Sequence, residues 1–288
     1  MNSTQNILVP IDFSEQSIIA LGQSYNLARY TNAEVTLLFV MEEDSSLLFF
    51  KKSKKQESDL EKQIKVKLSE IAGEAARASG VKINTMVARG KIYEEVARVA
   101  EELSSQFIIM GTNGSVGFKK FIGSNTLRII REAPCPVITI KGKQHRAGCK
   151  NIVLPLDLTK ETKEKVNKAI EVAKYFKSDI RIVTVLTGGD EFLVKKLIRQ
   201  LNQVRDFIKS KEVHCTADAV KGNSVTDEVV EFAKKVDADL IMIMTQQELD
   251  WTELFIGPQA QQIINGTDVP VLSIRPTEKA DTTFFTPY

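Results

Sequence analysis

Cysteine and histidine are scarce in this sequence, which has three cysteines and two histidines among its 288 residues. The cysteines lack the paired spacing of zinc ligands, and their odd number argues against a disulfide framework. No run approaches the roughly 20 apolar residues that a membrane-spanning helix requires. Residues 1–6 are polar and unlike a secretory signal. We therefore expect a cytoplasmic protein without an integral membrane segment.

A strong charge of one sign is also missing. Lysine and arginine number 39 and aspartate and glutamate 37, which gives a formal net charge of +2. Binding to a phosphate backbone needs a marked positive excess, so we expect no nucleic-acid partner. The two histidines, His145 and His214, belong to no Ser-His-Asp or Cys-His arrangement recognisable in the sequence. We expect neither catalytic residues nor a metal site.

What the sequence does contain is an internal repeat. Residues 6–12, NILVPID, return as NIVLPLD at 151–157, and the apolar run 35–40 matches 180–185. The offset between the halves shrinks further along, because the first half has a longer loop near residues 41–59. Length and composition also predict two domains. We place them at 1–142 and 151–276, with a polar linker at 143–150 and a tail at 277–288.

Short apolar runs alternate with helical patterns in each half. In the first half the runs predict five strands, near 6–10, 34–40, 82–88, 106–111 and 136–140. Helical periodicity predicts segments near 15–31, 58–79, 91–104 and 124–132. This alternation predicts an α/β fold: two flavodoxin-like (Rossmann-like) domains, each a five-stranded, mainly parallel, doubly wound sheet. Such sheets bind ligands beyond the carboxyl ends of their strands.

The second predicted helix carries its own boundary signals. Ser58 and Glu61 have the spacing of a capping box, which predicts a helix start at residue 58. Leu60, Ile64 and Leu68 open an apolar stripe along this helix. Gly80 stands just past its end as a C-cap.

The segment after the fourth predicted strand has the pattern of an anion-binding loop. Met110 and Gly111 end the strand, Gly114 follows, and Gly123, Ser124 and Asn125 open a helix. Glycines let backbone N–H groups approach an anion, and a helix start adds partial positive charge. A side chain at Gly111, as in Gly111→Val, is therefore expected to block a phosphate while leaving the fold intact. The alternative is a glycine-containing connection with a helix cap, and spacing alone does not separate the two.

Charged and backbone groups at the same edge of the sheet extend this hypothesis. Lys119 and Lys120 lie in the loop and can neutralise phosphate charge. Asp12 follows the first strand, where a carboxylate can accept hydrogen bonds from both ribose hydroxyls. Its alternative role is the N-cap of the next helix. Val40 ends the second strand, where its backbone can meet an adenine edge, and Gly90 follows the third, where it allows close approach or makes a turn.

These segments together resemble the universal stress protein family, twice over nearly the whole chain. The resemblance is carried by ILVPIDFSEQS at 7–17, VTLLFVME at 35–42, IIMGTNGSVGFKKFIGSNT at 108–126 and APCPVITI at 133–140. ATP-binding members of the family have a G-x2-G-x9-G-[S/T] signature, an aspartate after the first strand and a backbone contact to adenine after the second. The resemblance implies that Gly111, Gly114, Gly123 and Ser124 form the signature, with Asp12 and Val40 in the other two roles. The interval between Gly114 and Gly123 is one residue short of the family pattern.

The second half departs further from that pattern. Met244 and Gln247 replace the first two glycines, and Gly257-Pro258 replaces the Gly-Ser pair. Pro258 lacks the N–H that an anion would use. Asp157 is retained, so adenosine stays possible there while a triphosphate is disfavoured. We interpret this half as a structural or regulatory partner.

The resemblance implies an ATP-binding regulatory protein of the stress response, with or without Mg²⁺ and with at most slow ATP hydrolysis. Two alternatives stay open: a dimeric interaction module that binds no nucleotide, and an enzyme of the wider adenine-binding α/β group. Such enzymes use His-x-Gly-His or Ser-Gly-Gly-x-Asp loops where this chain has Pro-Ile-Asp-Phe-Ser, which counts against the last alternative. Family members commonly dimerise through the final strand. We therefore expect the two halves to pair through theirs, with dimerisation of whole chains left open.

Overall fold

The chain divides into two compact units, one holding the first half of the sequence and the other the second. The computed structural model describes residues 5–42, 54–112, 123–143, 148–156, 162–188, 191–245 and 257–275. Among these residues, no helix is both long and apolar enough to cross a membrane. Each unit is described below by itself.

The first unit is a parallel sheet with four helices. Its strands are β1 (Asn6–Pro10), β2 (Glu34–Met41), β3 (Ile83–Arg89), β4 (Phe107–Gly111) and β5 (Val137–Ile140). The helices that follow the first four strands are α1 (Glu15–Thr31), α2 (Lys54–Ser79), α3 (Ile92–Glu102) and α4 (Ser124–Glu132). The strand order is β3-β2-β1-β4-β5, and every pair is parallel. The order reverses between β1 and β4, as the doubly wound prediction requires.

The second unit repeats this architecture. Its strands are β6 (Asn151–Pro155), β7 (Asp179–Leu186), β8 (Cys215–Lys221), β9 (Leu240–Met244) and β10 (Val271–Ile274). Its helices are α5 (Thr162–Phe176), α6 (Glu191–Ser210), α7 (Val225–Lys235) and α8 (Pro258–Gly266). The order is β8-β7-β6-β9-β10, again entirely parallel. The predicted fold class, two flavodoxin-like units with five-stranded sheets, is confirmed.

The central strands form the core of each unit. Ile7, Leu8 and Val9 on β1 are fully buried, as are their counterparts Ile152, Val153 and Leu154 on β6. Continuous apolar strands are what a parallel sheet covered on both faces requires. Because both faces of the sheet are covered, β1 and β4 are fixed by packing. The residues that follow these strands are therefore held in place at the carboxyl edge of the sheet.

The predicted start of α2 is wrong. The helix begins at Lys54, so Ser58 lies inside it and is not a cap. The Glu61 carboxylate instead accepts a hydrogen bond from Arg89 on β3 at 2.6 Å and pairs with Lys65 at 2.6 Å. Leu60, predicted in the apolar stripe, is 37% exposed, whereas Ile64 and Leu68 are buried. The predicted C-cap agrees with the structure, since Gly80 has φ +69° and its N–H donates to the carbonyl of Ala76.

Candidate functional site

A cavity of about 290 Å³ lies at the carboxyl edge of the first sheet, where the strand order reverses. Its walls come from the ends of β1, β2 and β4 and from the helices α1, α3 and α4. Seven of the eleven residues predicted for the nucleotide site line it: Asp12, Val40, Met110, Gly111, Gly123, Ser124 and Asn125. Chain segments far apart in the sequence thus meet at one site.

Of the four other residues predicted for the site, the structure describes only Gly90. Gly90 is absent from the described lining; its φ is +143° and its N–H donates to the carbonyl of Met41 at 3.1 Å. Gly90 therefore makes the turn after β3 and ties it to the end of β2, which was the second of its two predicted roles. Gly114, Lys119 and Lys120 lie outside the described residues.

Asp12 sits on the rim of the cavity in a defined turn. Its Oδ1 accepts hydrogen bonds from the backbone N–H of Ser14 at 3.0 Å and from the Ser14 hydroxyl. Ser14, in turn, is the N-cap of α1 and accepts a hydrogen bond from the backbone N–H of Ser17. The alternative in which Asp12 caps the helix is therefore wrong. Ser14 takes that role, and Asp12 is an exposed carboxylate two residues before it.

Phe13, which lies between Asp12 and Ser14, is held by contacts of its aromatic ring. Phe13 has φ +64°, a left-handed conformation that costs an aromatic residue roughly 1–2 kcal/mol. Its ring stacks on Phe39 of β2 with centroids 5.0 Å apart, and the ammonium of Lys67 on α2 lies 4.4 Å from the Phe13 centroid. Stacking and cation–π attraction offset part of this backbone strain. The result is a rigid connection from β1 to α1 that presents Asp12 to the cavity.

Gly111 has a structural role that its motif did not reveal. A Cβ at this position would lie 2.5 Å from the carbonyl oxygen of Gln16 and 2.9 Å from the backbone nitrogen of Ser17. Both atoms belong to the first turn of α1, which crosses directly over the end of β4. The expectation that Gly111→Val leaves the fold intact is therefore wrong. The missing side chain makes room for α1, whatever else it does for a ligand.

The first turn of α4 forms part of the cavity wall. Gly123 is the N-cap of the helix, and no side-chain hydrogen bond caps the described part of that terminus. A Cβ built on Gly123 meets no atom of the described residues within 4 Å, so the described part of the wall leaves space beside it. Helix N-termini carry N–H groups without intrahelical partners and a partial positive charge. Ser124 and Asn125 add a hydroxyl and an amide to the same turn.

Several lining residues were not predicted as part of the site. They are Pro10, Ile11, Ser17, Leu38, Phe39, Ile92, Val96, Thr126 and Ile129. The apolar members carried only a core signal, since strand ends and helix stripes look alike whether or not they border a cavity. Thr126 could have been found from its place in the first turn of α4. Among the described residues, no group of three or more His, Cys, Asp or Glu side chains could hold a metal ion.

Both halves of the sequence match one known protein family. The universal stress protein family matches the chain twice, at residues 3–141 and at residues 148–275. The two matches together span most of the sequence and correspond to the two structural units. The chain belongs to the universal stress protein family. It is a tandem member with two domains of this family in one polypeptide.

Individual relatives agree with this assignment. The universal stress protein MJ0577 of Methanocaldococcus jannaschii is 30% identical over 155 residues, which cover 48% of this chain and 96% of that protein. MJ0531 of the same organism is 29% identical over 150 residues, covering 49% of this chain and 84% of the relative. A universal stress protein crystal structure from Archaeoglobus fulgidus matches with a TM-score of 0.77 and 19% identity, covering 95% of this chain and 97% of that one. At this identity the structural match shows the fold alone.

The second universal stress protein domain has a cavity at the corresponding place. It measures about 230 Å³ and is bordered by Pro155, Leu156, Val183 and Val185, which correspond to Pro10, Ile11, Leu38 and Val40. Met244 lines it at the position of Gly111, and helix α8 begins with Pro258 after the N-cap Gly257. Asp157 and Gln247 lie outside the described residues. Within the described lining, the second cavity therefore lacks the Gly-Ser helix start of the first.

Proposed function

We propose that the first domain binds ATP in the cavity at the carboxyl edge of its sheet. The observation that carries the proposal is the meeting there of Asp12, the end of β2 and the N-terminus of α4, which no described side chain caps. Phosphates would accept hydrogen bonds from the first turn of α4 at Gly123, Ser124 and Asn125. Asp12 would accept from the ribose hydroxyls, and the Val40 backbone would meet the adenine edge.

The chain's own features fit a triphosphate. Among the described residues no side chain caps this helix start and none fills the space beside Gly123, so a phosphate oxygen could approach the backbone N–H groups there. Lys119 and Lys120 would neutralise phosphate charge from the loop between Gly114 and Gly123. Mg²⁺, where present, would be held mainly by phosphate oxygens and water, because the described residues offer no cluster of metal ligands.

We propose a regulatory role in the stress response, not catalysis. No acid or base lies beside the uncapped turn of α4 among the described lining residues, apart from Asp12 on the ribose side. The second domain (151–276) would act as a structural or regulatory partner of the first (1–142), joined by the linker at 143–150. We further propose that the chain works in the cytoplasm without nucleic acid, and that its two domains pair through their final strands.

The test is ATP titration of the full chain and of two variants by calorimetry. Asp12→Asn keeps an acceptor for Ser14 but removes the charge, so ATP affinity should fall about tenfold, or ~1.4 kcal/mol. Ser14→Ala is the matched control: it removes the cap of α1 at a cost of about 1 kcal/mol in stability. It should weaken ATP less than Asp12→Asn does. Equal ATP affinity in Asp12→Asn and the unmodified chain would overturn the ribose assignment.

A further inference from the structure

The helices α3 and α4, which both border the first cavity, are joined by a cation–π contact. The Cζ atom of Arg128 on α4 lies 4.8 Å from the ring centroid of Tyr93 on α3. Each of these residues is adjacent in the chain to a residue of the cavity wall, since Tyr93 follows Ile92 and Arg128 precedes Ile129. The contact therefore links the two helices directly beside the cavity.

The second domain joins the same two helix positions with a neutral contact. Tyr93 and Thr226 are each the second residue of their helix, and Arg128 and Gln262 are each the fifth. The Thr226 hydroxyl donates a hydrogen bond to the side-chain oxygen of Gln262 at 2.8 Å. Linking these two helices therefore requires no charge. Helix packing does not explain the positive charge of Arg128 in the first domain.

The charge of Arg128 also differs from that of its neighbours in how it is paired. Arg98 on α3 pairs with Glu95 at 2.7 Å, and Arg131 on α4 pairs with Glu132 at 2.7 Å. Among the described residues, the exposed side chain of Arg128 contacts the Tyr93 ring and forms no ion pair with a carboxylate. A cation–π contact holds a guanidinium without using a hydrogen-bond acceptor, so its N–H donors can bind a ligand.

Arg128 lies on the same side of α4 as Ser124 in the first turn. Residues four apart on a helix are neighbours, and their Cα–Cβ bonds are tilted toward the helix N-terminus. The side chain of Arg128 is therefore directed toward the turn whose N–H groups are proposed to bind phosphate. A guanidinium binds phosphate oxygens through charge-assisted and often bidentate hydrogen bonds. Arg128 and the helix N-terminus would thus act on the same anion.

We propose that Arg128 binds the phosphate chain of ATP in the first domain, and that Tyr93 is the positioning residue that holds its guanidinium there. This inference rests on the ATP site proposed above and adds a side-chain contact outside the glycine signature. At the corresponding places of the second domain, Gln262 has no charge and Pro258 has no N–H. Arg128 would therefore make the first domain selective for a nucleotide over the uncharged nucleoside.

The test is calorimetric titration of the full chain with ATP and with adenosine. Arg128→Gln introduces the residue of the second domain, and ATP affinity should fall about tenfold because a charge-assisted contact is lost. Adenosine affinity should not change, because adenosine has no phosphate. Arg131→Gln is the matched control, since Arg131 lies on the same helix and pairs with Glu132. It should bind ATP like the unmodified chain.

Two variants of Tyr93 test the positioning role. Tyr93→Phe keeps the aromatic face below the guanidinium and should bind ATP like the unmodified chain. Tyr93→Leu removes that face and should weaken ATP about threefold, with adenosine unaffected. Equal ATP affinities in these two variants would overturn the role assigned to Tyr93.

The outcomes separate this inference from the proposed ATP site. If the unmodified chain binds no ATP, both are overturned. If it binds ATP and Arg128→Gln binds equally well, the role of Arg128 alone is overturned. Equal losses of ATP and adenosine in Arg128→Gln would overturn that role too, because they would indicate a general distortion of the cavity. The comparison of Arg128→Gln with Arg131→Gln uses ATP only, so it decides the question even if adenosine binds too weakly to measure.

Discussion

Substitution of Gly111 should mainly lower the stability of the first domain, whereas substitution of Gly123 should mainly lower its affinity for ATP. A methyl group on Gly111 would lie 2.5 Å from the carbonyl oxygen of Gln16, where ordinary contact begins at 3.4 Å. The first turn of α1 must therefore move by about 0.9 Å, the difference between these distances. Overpacking of this kind costs roughly 1–3 kcal/mol. Gly111→Ala should thus destabilise the first domain whether or not ATP is present.

Gly123→Ala is the matched comparison. Its Cβ meets no atom of the described residues within 4 Å, and its φ of −60° is open to any residue. Stability should fall by about 1 kcal/mol or less, because alanine is less favoured than glycine at an N-cap. ATP affinity should nevertheless fall about tenfold, or ~1.4 kcal/mol, because the methyl group occupies the space proposed for a phosphate.

Hydrogen exchange followed by mass spectrometry can locate these effects. Gly111→Ala should speed exchange in the peptides of α1 and β4, and its urea midpoint should drop by roughly 1 M for a loss of about 2 kcal/mol. Gly123→Ala should leave exchange in the peptides of α1 and β4 unchanged and should lower the urea midpoint less than Gly111→Ala does. The reasoning would be refuted by a Gly111→Ala protein of unchanged stability that has lost ATP. Such a result would make Gly111 a phosphate contact and not a packing position.

Three further predictions concern the rest of the chain. Hydrogen bonds from Lys65 and Arg89 lower the pKa of Glu61 to about 2, so its carboxylate stabilises the folded state above the ordinary pKa of 4.5 and loses this effect as pH falls from 4.5 to about 2. The free energy of unfolding of the unmodified chain should exceed that of Glu61→Gln at neutral pH, and the two values should converge near pH 2. A difference of unchanged size near pH 2 would contradict this. Burial raises the pKa of the Cys215 thiol to about 12, so a thiol reagent should label the two half-buried cysteines first, and equally fast labelling of all three would refute the assignment. If the two domains pair through their final strands, amides of β5 and β10 should be protected from exchange in a monomeric chain, and protection that appears only on dimerisation would exclude this pairing.

Most of the fold could be predicted from the sequence because the strands are buried on both faces. Continuous apolar runs such as Ile7–Val9 indicate strands that are buried on both faces of a parallel sheet. The internal repeat provides a second copy of the same pattern. The start of α2 could not be predicted this way. Ser58 and Glu61 have capping-box spacing, but the Glu61 carboxylate accepts a hydrogen bond from Arg89 on β3. The two residues are far apart in the sequence, so no local pattern predicts this contact.

The site was predicted less completely, for a physical reason. A glycine after a parallel strand serves equally well for a phosphate or for a crossing helix, and only the distance from Gly111 to Gln16 distinguishes the two uses. Gly90 was ambiguous for the same reason. The repeat does show one difference between the two cavities, because Thr184 lines the second where Phe39 lines the first.

The central claim is that one domain of the tandem binds ATP, and the stoichiometry of binding tests it most directly. Calorimetry should give one ATP per chain. Gly123→Ala should weaken this binding, whereas Gly257→Ala, the matched change at the same helix position of the second domain, should leave it unchanged. Two equivalents per chain, none, or equal losses in the two variants would contradict the division of roles between the domains.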